Sequence, residues 1–314
     1  MGKLHISSTP HIHQKGSSTR NIMLDVVIAM LPATVAGVVI FGIKALWVIL
    51  TCVISSVLSE AVFNLCVHKK QTIGDLSAVV TGLLLALNLS TKVPLWQCVI
   101  GSVFAIVVVK CLFGGIGKNI VNPAITARVF MLLTFGAVGT VALPTVVEIT
   151  SGATPLAALN KGAEIAAKEA PSIMDLFLGL HGGAIGETCA VALLIGFVYL
   201  VARKVIKWYV PASYVATVFV CYFLFDGFNA TFALQHVLAG GLLLGAIFMA
   251  TDYVTTPSTG KGRIVFCIGA GLLTFAIRQF GTYPEGVSIA ILTMNLLTPF
   301  ISDLTRKKTL GGIK

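Results

Sequence analysis

Charge is what this sequence has least of. Of 314 residues only 11% are Asp, Glu, Lys or Arg, where a soluble domain carries about 25%, and that shortage excludes a water-soluble enzyme. Acidic residues are the rarer sign, 12 against 22 Lys and Arg. Cysteine is present seven times but never in a C-x-x-C or paired spacing, which excludes a zinc site or a dithiol couple read from sequence. Cys52, Cys98, Cys111, Cys189, Cys221 and Cys267 lie inside apolar runs and read as small apolar fillers. No G-x-G-x-x-G follows a strand-like segment, so a dinucleotide is not bound directly. The first twenty residues are polar, with His5, His11 and His13, and lack the apolar core and cleavage site of a secretory signal. The amino end is therefore expected to stay in the cytoplasm.

What the chain does have is hydrophobic length. Residues of the hydrophobic set make up 56%, and runs such as Val26–Phe41, Ala45–Ser59 and Val99–Val109 are apolar on every helical face. A helix apolar all round takes lipid as its solvent, and about 20 residues span a bilayer. Ten spans are predicted, at 22–43, 45–66, 73–90, 95–113, 121–137, 187–203, 210–226, 232–251, 263–280 and 284–301. The fold expected is an all-α polytopic membrane protein. With a cytoplasmic amino end, fifteen of the 22 basic residues fall in inner segments, Lys69, Lys70, Lys118, Arg203, Lys204 and Lys261 among them. The net charge of +10 then reads as a topology signal rather than a patch for a polyanion.

The spans divide into halves. Residues 1–20 form a cytoplasmic tail, 21–137 a first five-helix repeat, 138–185 a long outer loop, 186–301 a second five-helix repeat, and 302–314 a basic cytoplasmic tail. Gly82-Leu83-Leu84-Leu85 recurs as Gly241-Leu242-Leu243-Leu244, and Phe113-Gly114 is echoed by Phe280-Gly281, each taken as the end of its half. Five spans being odd, the repeats are inverted. Inverted repeats place their site near the midplane, between broken helices.

Few residues in the apolar part carry chemistry. Glu60 is the carboxylate deepest within a span, either an ion-pathway candidate or half of a buried structural pair. Asp25, Asp75, Glu187, Asp252 and Glu285 lie nearer helix ends, where caps and interfacial carboxylates are common. Asn88, Asn122 and Asn295 are suited to satisfying broken backbone or lining a polar cavity. In the outer loop, Glu148-Ile149-Thr150-Ser151-Gly152-Ala153-Thr154-Pro155 reads either as an ordinary turn or as an unshielded hydroxyl open to a phosphoester tether.

That octapeptide resembles the flavinylation motif of the RnfD and NqrB family, with Glu148 in place of the usual leading Asp. Further segments are similar to RnfD: Ser8–Ile12, Thr81–Asn88, Phe113–Asn119, Asn122-Pro123-Ala124, Gly186-Glu187-Thr188, Ala250–Pro257 and Tyr283–Ser288. They run from the amino tail to the last span. The resemblance implies FMN joined through its phosphate to Thr154, with Ser151, Gly152 and Ala153 as the turn read by a flavin transferase. It also implies a non-covalent riboflavin toward the inner face, near Asn122, Asp252 and Tyr253. The turn Gly182–Glu187 is expected to open the sixth span, where Gly186 and Glu187 either approach the flavin phosphate or ring from a helix amino end or serve simply as a close-packing turn. The function implied is electron relay within an Rnf-type translocase of a prokaryotic cell membrane, coupling ferredoxin:NAD oxidoreduction to Na⁺ or H⁺ movement. The chain would not itself act on NAD or ferredoxin. The partners implied are the other membrane and peripheral subunits, among them a second covalent-FMN subunit and iron–sulfur subunits. Rival readings are a solute channel of urea-transporter-like architecture and an inert scaffold.

The topology is open to test. An impermeant label or protease added outside intact cells is expected to reach the 138–185 loop and to spare Lys69 and Lys70; the opposite pattern reverses the orientation.

Overall fold

The computed structural model describes residues 18–136, 142–145, 155–159, 171–281 and 285–306. The first half is α1 (Thr19–Phe41), α2 (Ile43–Cys66), α3 (Ser77–Leu87), α4 (Leu95–Cys111) and α5 (Pro123–Thr134). Two short helices follow, α6 (Pro155–Leu159) and α7 (Ile173–Leu178). The second half is α8 (Ala190–Ala202), α9 (Tyr209–Phe225), α10 (Ala230–Leu238), α11 (Leu242–Met249), α12 (Gly260–Phe280) and α13 (Val287–Thr305). The chain is an all-α polytopic membrane protein. Among the described residues four helices are long and apolar enough to cross alone, α10 and α11 form a passage bent by 67°, and five apolar helices are shorter.

Local chemistry sets the helix ends. The Ser18 hydroxyl accepts from the Asn21 N–H at 3.3 Å and starts α1. Gly42, at φ +74°, ends α1 and lets α2 begin at the next residue. Asn122 accepts from the N–H groups of Ala124 and Ile125 at 3.0 and 3.3 Å, with Pro123 in the first turn of α5, the residue pair a helix start favours. The exposed side chains of α1 and α2 are themselves apolar, Leu31, Val35 and Val39 on one, Ile54, Leu58 and Val62 on the other. Their four-residue spacing makes lipid-facing stripes, while small residues take the inner face, as in other membrane bundles.

Corresponding helices make corresponding contacts. In the first half α2 packs on α3 and α4; in the second, α9 packs on α10 and α12. The halves meet through their first helices, α1 against α8, and their fifth, α5 against α13. A Cβ on Gly82 would lie 2.7 Å from the Cys52 carbonyl oxygen, so α3 sits directly on α2. Gly196 of α8 lets that helix touch the backbone of Ala29 in the same way. Asp25 accepts from Nε and Nη2 of Arg203 at 3.2 and 3.3 Å and from the Tyr199 hydroxyl at 2.9 Å, clamping one end of the α1–α8 contact.

Several sequence expectations shift. The third span, expected over 73–90, is a 3-10 turn at Ile73–Asp75 and then only α3. The eighth is broken between Leu238 and Leu242. Gly82 therefore lies within a helix whereas Gly241 lies at a break, and the two Gly-Leu-Leu-Leu stretches do different work. The Phe-Gly pairs stand at the ends of α4 and α12, each with one more helix of its half still to come. The sixth span does not open at Gly182, because that segment is pinned as a re-entrant turn. Ile185 and Gly186 donate to the carbonyls of Leu89 and Leu87 at 3.0 and 2.8 Å, and Gly183 pairs with Ala142. Those N–H groups are taken, and α8 starts at Ala190.

Close helix contact gives a stability prediction. Gly196→Leu drives a side chain into α1, and overpacking of this kind costs about 1–3 kcal/mol or more. The thermal midpoint in detergent is expected to fall, whereas Val198→Leu, at a position 63% exposed toward lipid, is expected to leave it unchanged.

Candidate functional site

Three residues singled out in the sequence meet in one cleft. Asn122, Asp252 and Tyr253 line an open cleft between the halves. Val26, Val80, Leu84 and Phe248 give it apolar walls, and Ser77, Thr81, Lys110, Asn119 and Thr251 supply polar groups. It lies at the end of the bundle where α1, α3 and α5 begin and α8 and α11 finish. A mostly apolar concavity with a few placed donors and acceptors is the usual form of a site for a flat organic molecule.

Each of the three is also fixed by its own fold. The Asn122 side chain caps α5, and its backbone N–H reaches the Asn295 amide at 3.2 Å once that amide is oriented to match its neighbours. The same amide donates to the Thr255 carbonyl at 3.1 Å, tying α13 to both walls of the cleft. Asp252 organises the turn after α11, accepting from the Val254 N–H at 3.3 Å and the Thr255 hydroxyl at 3.0 Å. The Tyr253 hydroxyl donates to the Val205 carbonyl, which leaves the ring half-exposed at the mouth.

Behind the cleft stands Glu60, which the fold pairs with Lys110 of α4. The ammonium donates to the two Glu60 oxygens at 3.0 and 3.1 Å and to the Ser77 hydroxyl at 2.5 Å. Thr72 donates to Glu60 at 2.6 Å, and Asn64 to Thr72 at 3.0 Å. Lys110 and Ser77 belong to both the pair and the cleft wall. The carboxylate thus holds a cation at the edge of the cleft. Lys110 was visible in the sequence as a cation inside an apolar span, and its need for an opposite charge was the signal that could have joined it to Glu60.

Gly186 and Glu187 lie apart from that cleft. Gly186 is buried against α3, where a Cβ would lie 2.5 Å from Leu87, the geometry of a close-packing turn. Glu187 accepts from the Ala184 N–H at 2.8 Å and points to the break between α10 and α11. Glu148, Ser151, Gly152, Ala153 and Thr154 lie outside the described residues. The helix that follows them, α6, buries Leu156 against Gly240 at the same break. Arg128 and Arg278 were not expected from sequence as site residues; with Asn88, which the sequence marked for broken backbone or a polar cavity, they are buried around this second locus. Arg278 donates to the carbonyls of His236 and Ala239 at 2.7 and 3.2 Å, satisfying backbone freed by the break. Among the described residues no group of three or more His, Cys, Asp or Glu is arranged to hold a metal ion.

The Glu60 pair can be tested by removing one charge and then both. Glu60→Gln leaves the Lys110 ammonium buried without its counter-charge, and breaking such a pair costs about 3–5 kcal/mol. Denaturant or thermal unfolding is expected to show that loss, with most of it recovered in Glu60→Gln/Lys110→Met. Ion-coupled turnover that survives in the double variant removes Glu60 from any ion path.

Comparison with known proteins agrees with this architecture along the whole chain. The family model described as "NQR2, RnfD, RnfE family" matches residues 5–311. The D subunit of the Na⁺-translocating ferredoxin:NAD⁺ oxidoreductase complex of Acetobacterium woodii is 46% identical over 99% of this chain and 96% of its own length. The D subunit of the proton-translocating ferredoxin:NAD⁺ oxidoreductase complex of Clostridium ljungdahlii is 40% identical over 98% of this chain and 96% of its own. The D subunit of an ion-translocating oxidoreductase complex from Stutzerimonas stutzeri is 36% identical over 94% and 93%. With a family model covering nearly every residue and full-length relatives well above 30% identity, the chain belongs to the NQR2, RnfD, RnfE family.

Proposed function

We propose that this chain is the D-type membrane subunit of an ion-translocating ferredoxin:NAD⁺ oxidoreductase complex, and that it relays electrons through two flavins. One is FMN held covalently at Thr154; the other is riboflavin held without a covalent bond in the cleft between the halves. The observation that carries the reading is the convergence of Asn122, Asp252 and Tyr253 on that cleft, three residues expected together from resemblance alone and supplied by different parts of the chain.

The cleft suits the group. Aliphatic walls match the hydrocarbon end of an isoalloxazine, and the Asn119 and Thr81 side chains offer hydrogen bonds to its polar end. The Lys110–Glu60 ion pair sets a polar, charge-balanced group at the wall. When bound, a flavin supplies one- and two-electron transfer. The chain's part is to hold the ring between two rigid half-bundles, to keep bulk water out with Val26, Val80 and Phe248, and to fix Asp252 and Asn122 by their own turns and caps. For the covalent group, the Glu148–Pro155 motif supplies the acceptor hydroxyl. The next helix, α6, is anchored by buried Leu156 beside the α10–α11 break.

The basic loops support a cytoplasmic position for the cleft end and an outer one for the attachment loop. The relay would then draw on both faces of the membrane, with partner subunits, including iron–sulfur proteins and a second FMN-bearing subunit, delivering and removing electrons. Na⁺ or H⁺ is the ion moved by the complex.

The two flavins separate on a denaturing gel. In cells carrying the flavin transferase, the wild-type band is expected to fluoresce under ultraviolet light and the Thr154→Ala band to be dark. Acid extraction of the purified complex is expected to release free riboflavin from both. A dark wild-type band overturns the covalent assignment; no extractable riboflavin overturns the cleft assignment.

A further inference from the structure

The turn that joins α8 to α9 carries a lysine where helix endings favour glycine. The Lys204 N–H donates to the Val201 carbonyl at 3.0 Å and the Val205 N–H to the Leu200 carbonyl at 2.9 Å, the paired bonds of a Schellman ending. Lys204 holds the left-handed position of that ending, at φ +59°, where any side chain is strained. Its exposed ammonium lines a recess beside the cleft, with which the recess shares Val205, Ile206, Thr251 and Tyr253. Lys207 lines the same recess from just ahead of α9, and Arg263 lines it from the first turn of α12. Three cations from two distant parts of the chain therefore share one concavity.

Nothing acidic balances them. No carboxylate is among the residues lining the recess, and among the described residues none of the three cations forms an ion pair. The nearest acids are committed elsewhere: Asp25 accepts from Arg203 and Tyr199, and Asp252 organises the turn after α11. Arg263 Nε donates to the Pro257 carbonyl at 3.0 Å, which ties the guanidinium to its own turn. Two helix starts add to the positive field. A Cβ on Gly260 would lie 3.3 Å from the Tyr209 hydroxyl, so the amino ends of α9 and α12, helices of 17 and 21 residues, touch at the recess, each with the positive end of its dipole. Like charges gathered in one place repel, and an anion placed among them relieves the repulsion.

The recess also lies where a membrane surface meets the bundle. Trp208, 64% exposed, stands at a helix end as interfacial tryptophans do. Beside Arg263 the exposed side of α12 continues as Ile264, Ile268 and Leu272, an apolar stripe at four-residue spacing. We propose that this recess binds the phosphate of an anionic phospholipid, with Lys204, Lys207 and Arg263 around its oxygens and the acyl chains along α12. Basic recesses between membrane helices take such headgroups, and a soluble phosphate compound would leave the apolar stripe unused. The lipid borders the cleft mouth at Tyr253 but needs neither flavin, so this site and the relay can fail separately.

The test uses the assembled complex in detergent and a phosphatidylglycerol that carries a diazirine next to its headgroup. On illumination the probe is expected to attach to peptides holding residues 204–210 or 260–264. Excess unlabelled phosphatidylglycerol is expected to block that labelling, whereas phosphatidylcholine or inorganic phosphate at equal concentration is expected to leave it. Block by inorganic phosphate makes the site one for a soluble anion and overturns the lipid assignment; equal block by phosphatidylcholine removes the role of charge and overturns it too. Lys204→Gly removes one cation at a position whose backbone glycine prefers, so the turn is kept, and Lys207→Gln removes a second. Each cation near a membrane surface is worth about 5-fold in affinity for an anionic lipid, so labelling is expected to weaken by about 5-fold in each single variant and on the order of 20-fold in the double. Lys207→Arg is expected to label as the wild type does. Unchanged labelling in the double variant overturns the proposal. So does the lack of any adduct in the two segments while other lipid-facing peptides of the chain react. If the variants fail to assemble, the competition on the wild-type complex decides.

Discussion

A charge inside lipid must find its opposite within the same molecule, and that requirement organises this protein. Lys110 and Arg128 are cations in short or irregular helices of the first half, and each is met by a carboxylate far away in sequence. Glu60 reaches Lys110 from α2, and Glu285 reaches Arg128 from the far end of the chain. The first pair fastens α2 to α4 within one half; the second fastens the two halves together. Asp25 and Arg203 do the same near the bundle's edge, where water shares the work. A buried pair of this kind adds little net stability compared with well-packed apolar residues, but breaking it is costly. Its effect is to select one arrangement of helices over others that pack equally well.

The same rule governs the backbone. Helices that stop within the bundle leave carbonyl and N–H groups without partners, and lipid offers none. Here each break is closed by a specific side chain or by another segment of chain. Asn122 caps α5, Arg278 binds the carbonyls at the α10–α11 break, and the 182–187 turn lays its N–H groups on the end of α3. The broken ends create two polar places in an otherwise apolar body. One is open, with mostly apolar walls; the other is closed, charged and set between the halves.

Much of this was legible in the residues. The all-α membrane fold and the apolar helices that make it follow from hydropathy. Asn122, Asp252 and Tyr253 could be grouped because their motifs resemble a family, although nothing in their spacing says that they share a cleft. The breaks were harder to see. Thr81–Leu87 and Gly241–Met249 are equally apolar, and only their neighbours make one a helix packed on α2 and the other the continuation of a bent passage. Gly186 illustrates the same limit: a glycine turn before an apolar run reads as a helix start until its N–H groups are found bonded to Leu87 and Leu89.

The amino-acid order alone determined that the chain lives in a membrane, roughly where it crosses, and which end of the bundle is basic, because those are properties of composition averaged over some twenty residues. Only the tertiary structure decided which buried charges pair and where helices stop. Those facts depend on contacts between residues up to 178 positions apart, and no local pattern encodes the partner of a buried group that lipid refuses to solvate.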